Sequence, residues 1–253
     1  MIAALYIDPL GPYPKLDGVD CWDNRYHRGA LRDARLYSGP EPVVAHPPCK
    51  HWSRLRHLAH VGCSSCSMSA PRRDRVSGGE FVEGGLCPDE YCDGVIVSDR
   101  DCALRAVEQA RKFGGVLEHP AGSKLWDEID LPEPCWIGDE EIHAHEDGER
   151  HCYDAFGGYS IEIDQCEWGH VARKRTWLYL VGVPRDSLEP PPFHGREPTH
   201  YASGGRTSSS RSGGAVPVGI KVCSAQQRRR TPPLLAEYLV RLARAAGEAR
   251  RAA

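Results

Sequence analysis

The chain of 253 residues lacks any apolar run of membrane-spanning length, which argues against a helical membrane anchor. A secretory leader is missing too: Met1-Ile2-Ala3-Ala4-Leu5-Tyr6-Ile7-Asp8 is too short and turns acidic too soon. These two absences set the expectation of a soluble, cytoplasmic protein with no membrane partner. There is no strong excess of either charge, and the formal net charge of -3 argues against broad, non-specific polyanion binding. Arg206, Arg211 and Arg228-Arg229-Arg230 are local exceptions that would hold phosphates. No internal repeat is present, and nothing in the length forces a second domain. Cysteine, by contrast, is abundant, with 11 in the chain. The odd count and the missing leader argue against a disulfide framework and for metal or thiol chemistry.

Val43-Val44-Ala45 reads as a strand that runs into His46-Pro47-Pro48 and must stop there. Proline cannot donate to a sheet ladder, and its φ is fixed near the turn value. Cys49 then sits on a rigid loop at a strand end, where doubly wound sheets place ligands and chemistry. A buried structural cysteine and a reactive thiol are both open readings of that position. Ala4 to Ile7 reads as the first strand, closed by Asp8-Pro9 and a loop through Gly11, Pro12 and Pro14. The short distance from Asp8 to Asp20 implies that the helix of this crossover is missing or reduced. Ser98-Asp99-Arg100-Asp101 resembles a helix start, with Ala103, Leu104, Val107 and Ala110 on one face and Gly114-Gly115 as the stop. Val116-Leu117 follows as a buried strand ending at Glu118-His119-Pro120, which puts Glu118 on the same sheet edge as Cys49. Tyr159 to Asp164 and Thr176 to Val181 read as an antiparallel pair at the end of the sheet. Thr231 and Pro232 open a terminal helix with Leu234, Leu235, Tyr238, Leu239 and Leu242 on its apolar face.

The expected fold class is therefore α/β, with a doubly wound, mostly parallel sheet. Its catalytic part spans 1–53 and 93–183, a polar cysteine-rich insertion spans 54–92, a Pro/Gly/Ser/Arg-rich segment spans 184–220, and 221–253 carries the terminal helix. In the insertion, Cys63 and Cys66 form one close pair, and Cys87 and Cys92 form another. That spacing suits a tetrahedral four-thiolate zinc site, with His57 and His60 as substitute ligands. A structural metal would supply there what burial cannot. Cys135, His143, His145 and Cys152 form a weaker cluster, for which solvent-facing histidines are the plainer account.

Pro47-Pro48-Cys49, Glu118-His119-Pro120 with Gly122 behind it, and Ala172-Arg173-Lys174-Arg175 occur in that order. Taken singly, a strand-end Glu is often a cap or an ion-pair partner, and an Arg-Lys-Arg run is usually a solvated face. Together, and with Glu167-Trp168-Gly169, Leu178-Tyr179-Leu180-Val181-Gly182 and Leu234-Leu235-Ala236, they resemble the cytosine-5 DNA methyltransferases, in the form of a compact, phage-type relative. The resemblance implies a reduced Rossmann-like methyltransferase fold in a bacterial or phage-infected cell. It also implies Cys49 as the nucleophile that adds to carbon 6 of a flipped pyrimidine in double-stranded DNA, or of a base in a single strand. Glu118, its pKa raised by burial, would serve ring nitrogen 3, and Arg173 or Arg175 the base carbonyl. S-adenosylmethionine would be the methyl donor, held by Asp8, Gly11, Trp22, Asp23, Asp33 and Pro47. The sequence departs from the pattern in its first-strand turn, where one glycine stands among Pro9, Pro12 and Pro14 in place of a glycine-rich stretch. The reduced segment 184–220 implies short or relaxed sequence specificity, or a substrate smaller than duplex DNA.

Overall fold

A computed structural model describes residues 1–23, 32–49, 52, 99–134, 152–201 and 221–252. Its sheet begins with β1 (Ile2–Leu5), every residue of which is buried. This strand pairs in parallel with β2 (Val19–Cys21) on one side and β3 (Val43–Ala45) on the other. β3 pairs in parallel with β4 (Gly115–Pro120). One strand then runs the other way: β6 (Arg175–Val181) lies antiparallel to both β4 and the edge strand β5 (Gly158–Asp164). The order β2-β1-β3-β4-β6-β5 makes a mixed, mostly parallel six-stranded α/β sheet. The expected antiparallel pair at its end is present. A separate two-stranded ribbon joins β7 (His200–Tyr201) to β8 (Lys221–Val222).

Short apolar strands with no polar alternation need cover on both faces, and helices supply it. Helix α1 (Asp99–Phe113) packs Ala103, Ala106, Val107 and Ala110 against Leu5, Ala45 and Leu117. Gly114 ends α1 at φ 77°, and at Gly115 an added Cβ would come within 2.0 Å of the Val43 carbonyl oxygen, so only glycine lets β4 join the ladder there. The opposite face is covered by the C-terminal helix α4 (Pro233–Ala252), whose Leu235, Leu239 and Leu242 pack on Ile2, Ala4, Val44 and Val116. Leu234, expected on that face, is instead 39% exposed, because Ala236, Val240, Ala243 and Ala246 carry the stripe.

Two short helices went unread in the sequence. They are α2 (Lys124–Glu128), capped by Ser123, and α3 (Ala225–Arg229), capped reciprocally by Ser224 and Gln227. The first strand also lies two residues earlier than expected. It ends because Tyr6 turns into the left-handed region at φ 59°, held by its hydroxyl donating to Gln109 Oε1 at 3.0 Å. Between β1 and β2 the crossover helix is reduced to one 3₁₀ turn at Tyr13–Lys15, as the short spacing implied. Among the described residues no helix is long and apolar enough to cross a membrane.

Candidate active site

The chain leaves β1 for β2 on one side and takes up β3 on the other, so the carboxyl ends of β1 and β3 diverge. A crevice at such a switch point is where open α/β sheets bind ligands. His46 extends β3 by one residue, its amide donating to the Leu5 carbonyl at 3.0 Å. Ala45 pairs with Leu117, so the next residues along the two parallel strands, His46 and Glu118, sit side by side. They bond directly: His46 Nδ1 lies 2.9 Å from Glu118 Oε2, with both side chains only about a tenth exposed. The loop then passes through buried Pro47 to half-buried Cys49. It is pinned where the Cys49 carbonyl accepts from the Trp52 amide at 3.1 Å and the Trp52 carbonyl from the Lys124 amide at 2.9 Å. Cys49 and Glu118 therefore belong to one end of one strand pair, as the sequence implied.

Glu118 is the hub of a polar network. Its Oε1 accepts from Gln165 Nε2 at 2.8 Å, and the same amide also reaches Thr176 Oγ1 at 3.0 Å. On the far side of His46, Nε2 meets the Tyr13 hydroxyl at 2.5 Å, and the two rings pack 5.2 Å apart. Burial pushes the Glu118 carboxyl up, but the nearby Lys174 charge, the His46 hydrogen bond and the His46 and His119 charges outweigh it and hold it at about 2. The expected rise is thus reversed. A buried carboxyl stays neutral only where its partners do not favour the anion, and here they do.

His119 points to the other face of β4, toward Trp126. Its Nδ1 bonds to Ser123 Oγ at 2.7 Å, an oxygen that also accepts from the Leu125 amide at 3.1 Å. Nε2 makes no hydrogen bond among the described residues, and the Pro48 backbone favours the charged ring. Full burial dominates, and the His119 ring is pushed down to about 4.

Arg173 and Arg175 do not join this network. Arg175 forks onto Glu162, with Nε on Oε1 and Nη2 on Oε2 at 2.9 Å, and Trp177 Nε1 donates to the same carboxylate at 2.9 Å. Arg173 pairs with Asp164 at 3.7 Å, and both arginine side chains are 66% exposed. Strand alternation explains this. Glu118 is the register partner of Leu178, and stepping back by twos from Leu178 gives Thr176 and Lys174 on its face, leaving the arginines on the other.

Of the residues implied for a methyl donor, Pro47 follows β3, and Asp8, Gly11, Trp22 and Asp33 are bonded within their own turns or to neighbouring side chains. Asp8 Oδ1 accepts from the Leu10 amide at 3.0 Å, and the Gly11 amide donates to the Asp8 carbonyl at 2.8 Å. Pro9, Pro12 and Pro14 have no N–H to offer. Trp22 Nε1 donates to Asp20, and the Arg32 guanidinium covers its ring at 4.1 Å while also gripping Asp20 at 2.5 Å. Asp23 is 2% exposed, and Asp33 is bound to Arg35 at 2.5 Å. In this arrangement the described residues do not fit S-adenosylmethionine in the way the resemblance implies, because the turn that should present amides to it has already bonded them internally.

Cys63, Cys66, Cys87 and Cys92 lie outside the described residues, as do His57, His60, Cys135, His143, His145, Arg206 and Arg211. Among the described residues no group of three or more His, Cys, Asp or Glu side chains is placed to hold a metal. Sequence reasoning did not single out Tyr13, His46, Gln165 or Lys174. His46 was within its reach, since it follows the last residue of β3 and so lies beside the residue of β4 that follows Leu117, although β4 runs on to Pro120 rather than stopping at Glu118. No family model, curated protein or solved structure matches the chain.

Proposed function

We propose that the chain is a cytosine-5 DNA methyltransferase-like enzyme that activates a pyrimidine base by adding the Cys49 thiolate to carbon 6. One observation carries this reading: Cys49 follows the end of β3 on the loop that begins at His46, and His46 is hydrogen-bonded to the buried anion of Glu118 on the adjacent parallel strand β4. A thiolate is the side chain best suited to reversible addition to an electron-poor ring carbon. The ring that accepts it gains negative charge, which calls for a proton or a hydrogen-bond donor at nitrogen 3. The finer fold reading, a reduced Rossmann-like methyltransferase sheet, belongs to this proposal. So does a DNA partner whose base is flipped or single-stranded, with Arg228, Arg229 and Arg230 as phosphate contacts.

Covalent trapping on DNA containing 5-fluorocytosine tests the adduct. Wild type is expected to form a stable complex that Cys49→Ala does not. Identical behaviour of the two removes Cys49 as nucleophile and leaves a nucleic-acid-binding protein without this chemistry.

The internally bonded turn after β1 favours a second reading of the later step, in which the same adduct serves a non-methyl or nucleotide-level modification. Calorimetric titration with S-adenosylmethionine, with and without DNA, separates the two. Binding selects methyl transfer, and no heat in either titration selects the alternative. The paired cysteines 63/66 and 87/92 carry the separate proposal of a structural zinc, for which elemental analysis is expected to give about one equivalent per chain.

A further inference from the structure

We propose that His46 is a positioning residue that supplies Glu118 with the proton delivered to ring nitrogen 3, and that Tyr13 is built to serve both protonation states of that histidine. The inference rests on the pyrimidine-activating reading above and assigns the source of its proton.

The need for such a source follows from Glu118 itself. Adding a thiolate to carbon 6 moves an electron pair through the ring to nitrogen 3, which must then take up a proton. Glu118 is held as an anion with a hydrogen-bond partner at each oxygen, so it has no proton of its own to give. Among the described residues, the titratable side chain that hydrogen-bonds Glu118 directly is His46.

A carboxylate only accepts, so the proton between the pair belongs to Nδ1. In the neutral ring, Nε2 is then an acceptor and the Tyr13 hydroxyl donates to it. In the charged ring, Nε2 donates and the same hydroxyl turns to accept. A backbone carbonyl or amide would fit only one of these states, whereas a hydroxyl fits both. Tyr13 is 2% exposed and is placed here by the 3₁₀ turn that replaces the crossover helix. The departure from the family's glycine-rich turn thus brings a specific group to the site.

The step balances as follows. In the charged ring the Nδ1–H bond breaks, its electron pair stays on the imidazole, and an O–H bond forms on Glu118. As the Cys49 sulfur bonds to carbon 6, the ring's π pair shifts onto nitrogen 3, which takes the proton from Glu118. The histidine ends neutral and the carboxylate is restored. Groups that bear on this pair are the Tyr13 hydroxyl from the turn after β1, Lys174 from the segment before β6 and His119 next along β4, while Cys21 lies near Tyr13. Cys49 must lose a proton to attack, so the trapping rate has a rising limb from the thiol and a falling limb from the pair.

The test is the pH profile of adduct formation on 5-fluorocytosine DNA. Wild type is expected to slow by about tenfold per pH unit on the alkaline side. His46→Gln keeps an amide donor to Glu118 but cannot carry the proton, so it should lose about 100-fold or more and the falling limb with it. Tyr13→Phe keeps the ring but not the hydroxyl, and should move the falling limb to lower pH. A His46→Gln variant with wild-type rate and profile overturns the proposal, as does a Tyr13→Phe profile superimposable on wild type. If wild type forms no adduct, the functional reading fails and imidazole ¹⁵N resonances decide the proton relay alone. His46 nitrogens that titrate and shift in Tyr13→Phe and Glu118→Gln uphold it, and nitrogens that do not titrate between about pH 5 and 9 overturn it.

Discussion

The carboxyl edge of the sheet has two halves that treat their polar groups in opposite ways. At β3 and β4, His46 and Gln165 converge on one buried carboxylate, with Tyr13 behind His46, and the loop that leaves β3 carries a half-buried thiol. At β1 and β2, Asp8, Gly11, Asp20, Asp33 and their arginines are bonded within their own turns and pairs. Concentrating donors on one buried anion holds a charge ready for chemistry, whereas pairing them locally leaves little for a ligand to use without displacing a partner. The first half therefore fixes one buried anion on the strand next to the Cys49 loop, and the second has its described polar groups already partnered.

The largest effect expected is at the thiol. Cys49→Ala should abolish trapping on 5-fluorocytosine DNA, since no other cysteine in the described residues leaves the end of β3. An undiminished yield would break the comparison outright. Next is Glu118→Gln, which keeps the size and loses the charge. Its trapping rate, measured under single-turnover conditions, should fall by about 10²- to 10⁴-fold. A loss no greater than that of a surface substitution would make Glu118 a structural partner of His46 only.

How much of this was legible in the sequence depends on how local the cause is. Pro47-Pro48 stops β3 and Gly114-Gly115 opens β4, so local signals alone place Cys49 just past one strand and Glu118 on the next, although β4 runs two residues further than Glu118. Burial of Glu118 was legible as well, but its protonation was not. That depends on Lys174 and His46, whose approach requires the register of β4 with β6 and β3. Tyr13 was hidden for the same reason, because a 3₁₀ turn between β1 and β2 carries it across to His46. The arginines were misleading because charge was read without parity. Counting by twos from Leu178 would have selected Lys174.

The buried pair at β4 also predicts an acid response. The Glu118 carboxyl is depressed from 4.5 to about 2, so its contribution is fully present above the unfolded value and lost as pH falls from about 4.5 toward 2. The His119 ring is depressed from 6.5 to about 4, so the unfolded chain binds its proton first and stability falls from about pH 6.5 toward 4. Each window is worth on the order of 3 kcal/mol. Urea unfolding as a function of pH should show both in wild type, with the upper window absent in His119→Gln and the lower one flattened in Glu118→Gln. Two variants with the same acid slope as wild type would place the instability in other groups.

The smallest effect separates Lys174 from the arginines beside it. Removing a cation that favours the Glu118 anion lets the His46–Glu118 pair hold its proton more tightly, so Lys174→Ala should move the alkaline limb of trapping upward by about one pH unit. Arg175 is bound to Glu162 on the opposite face, and an ion pair that exposed is worth less than about 1 kcal/mol. Arg175→Ala should therefore leave the limb in place and change the trapping rate by less than about twofold, with Arg173→Ala alike. If instead Arg175→Ala abolishes trapping, its guanidinium must leave Glu162 when the base enters. The arginine face would then belong to the half of the edge that performs the chemistry.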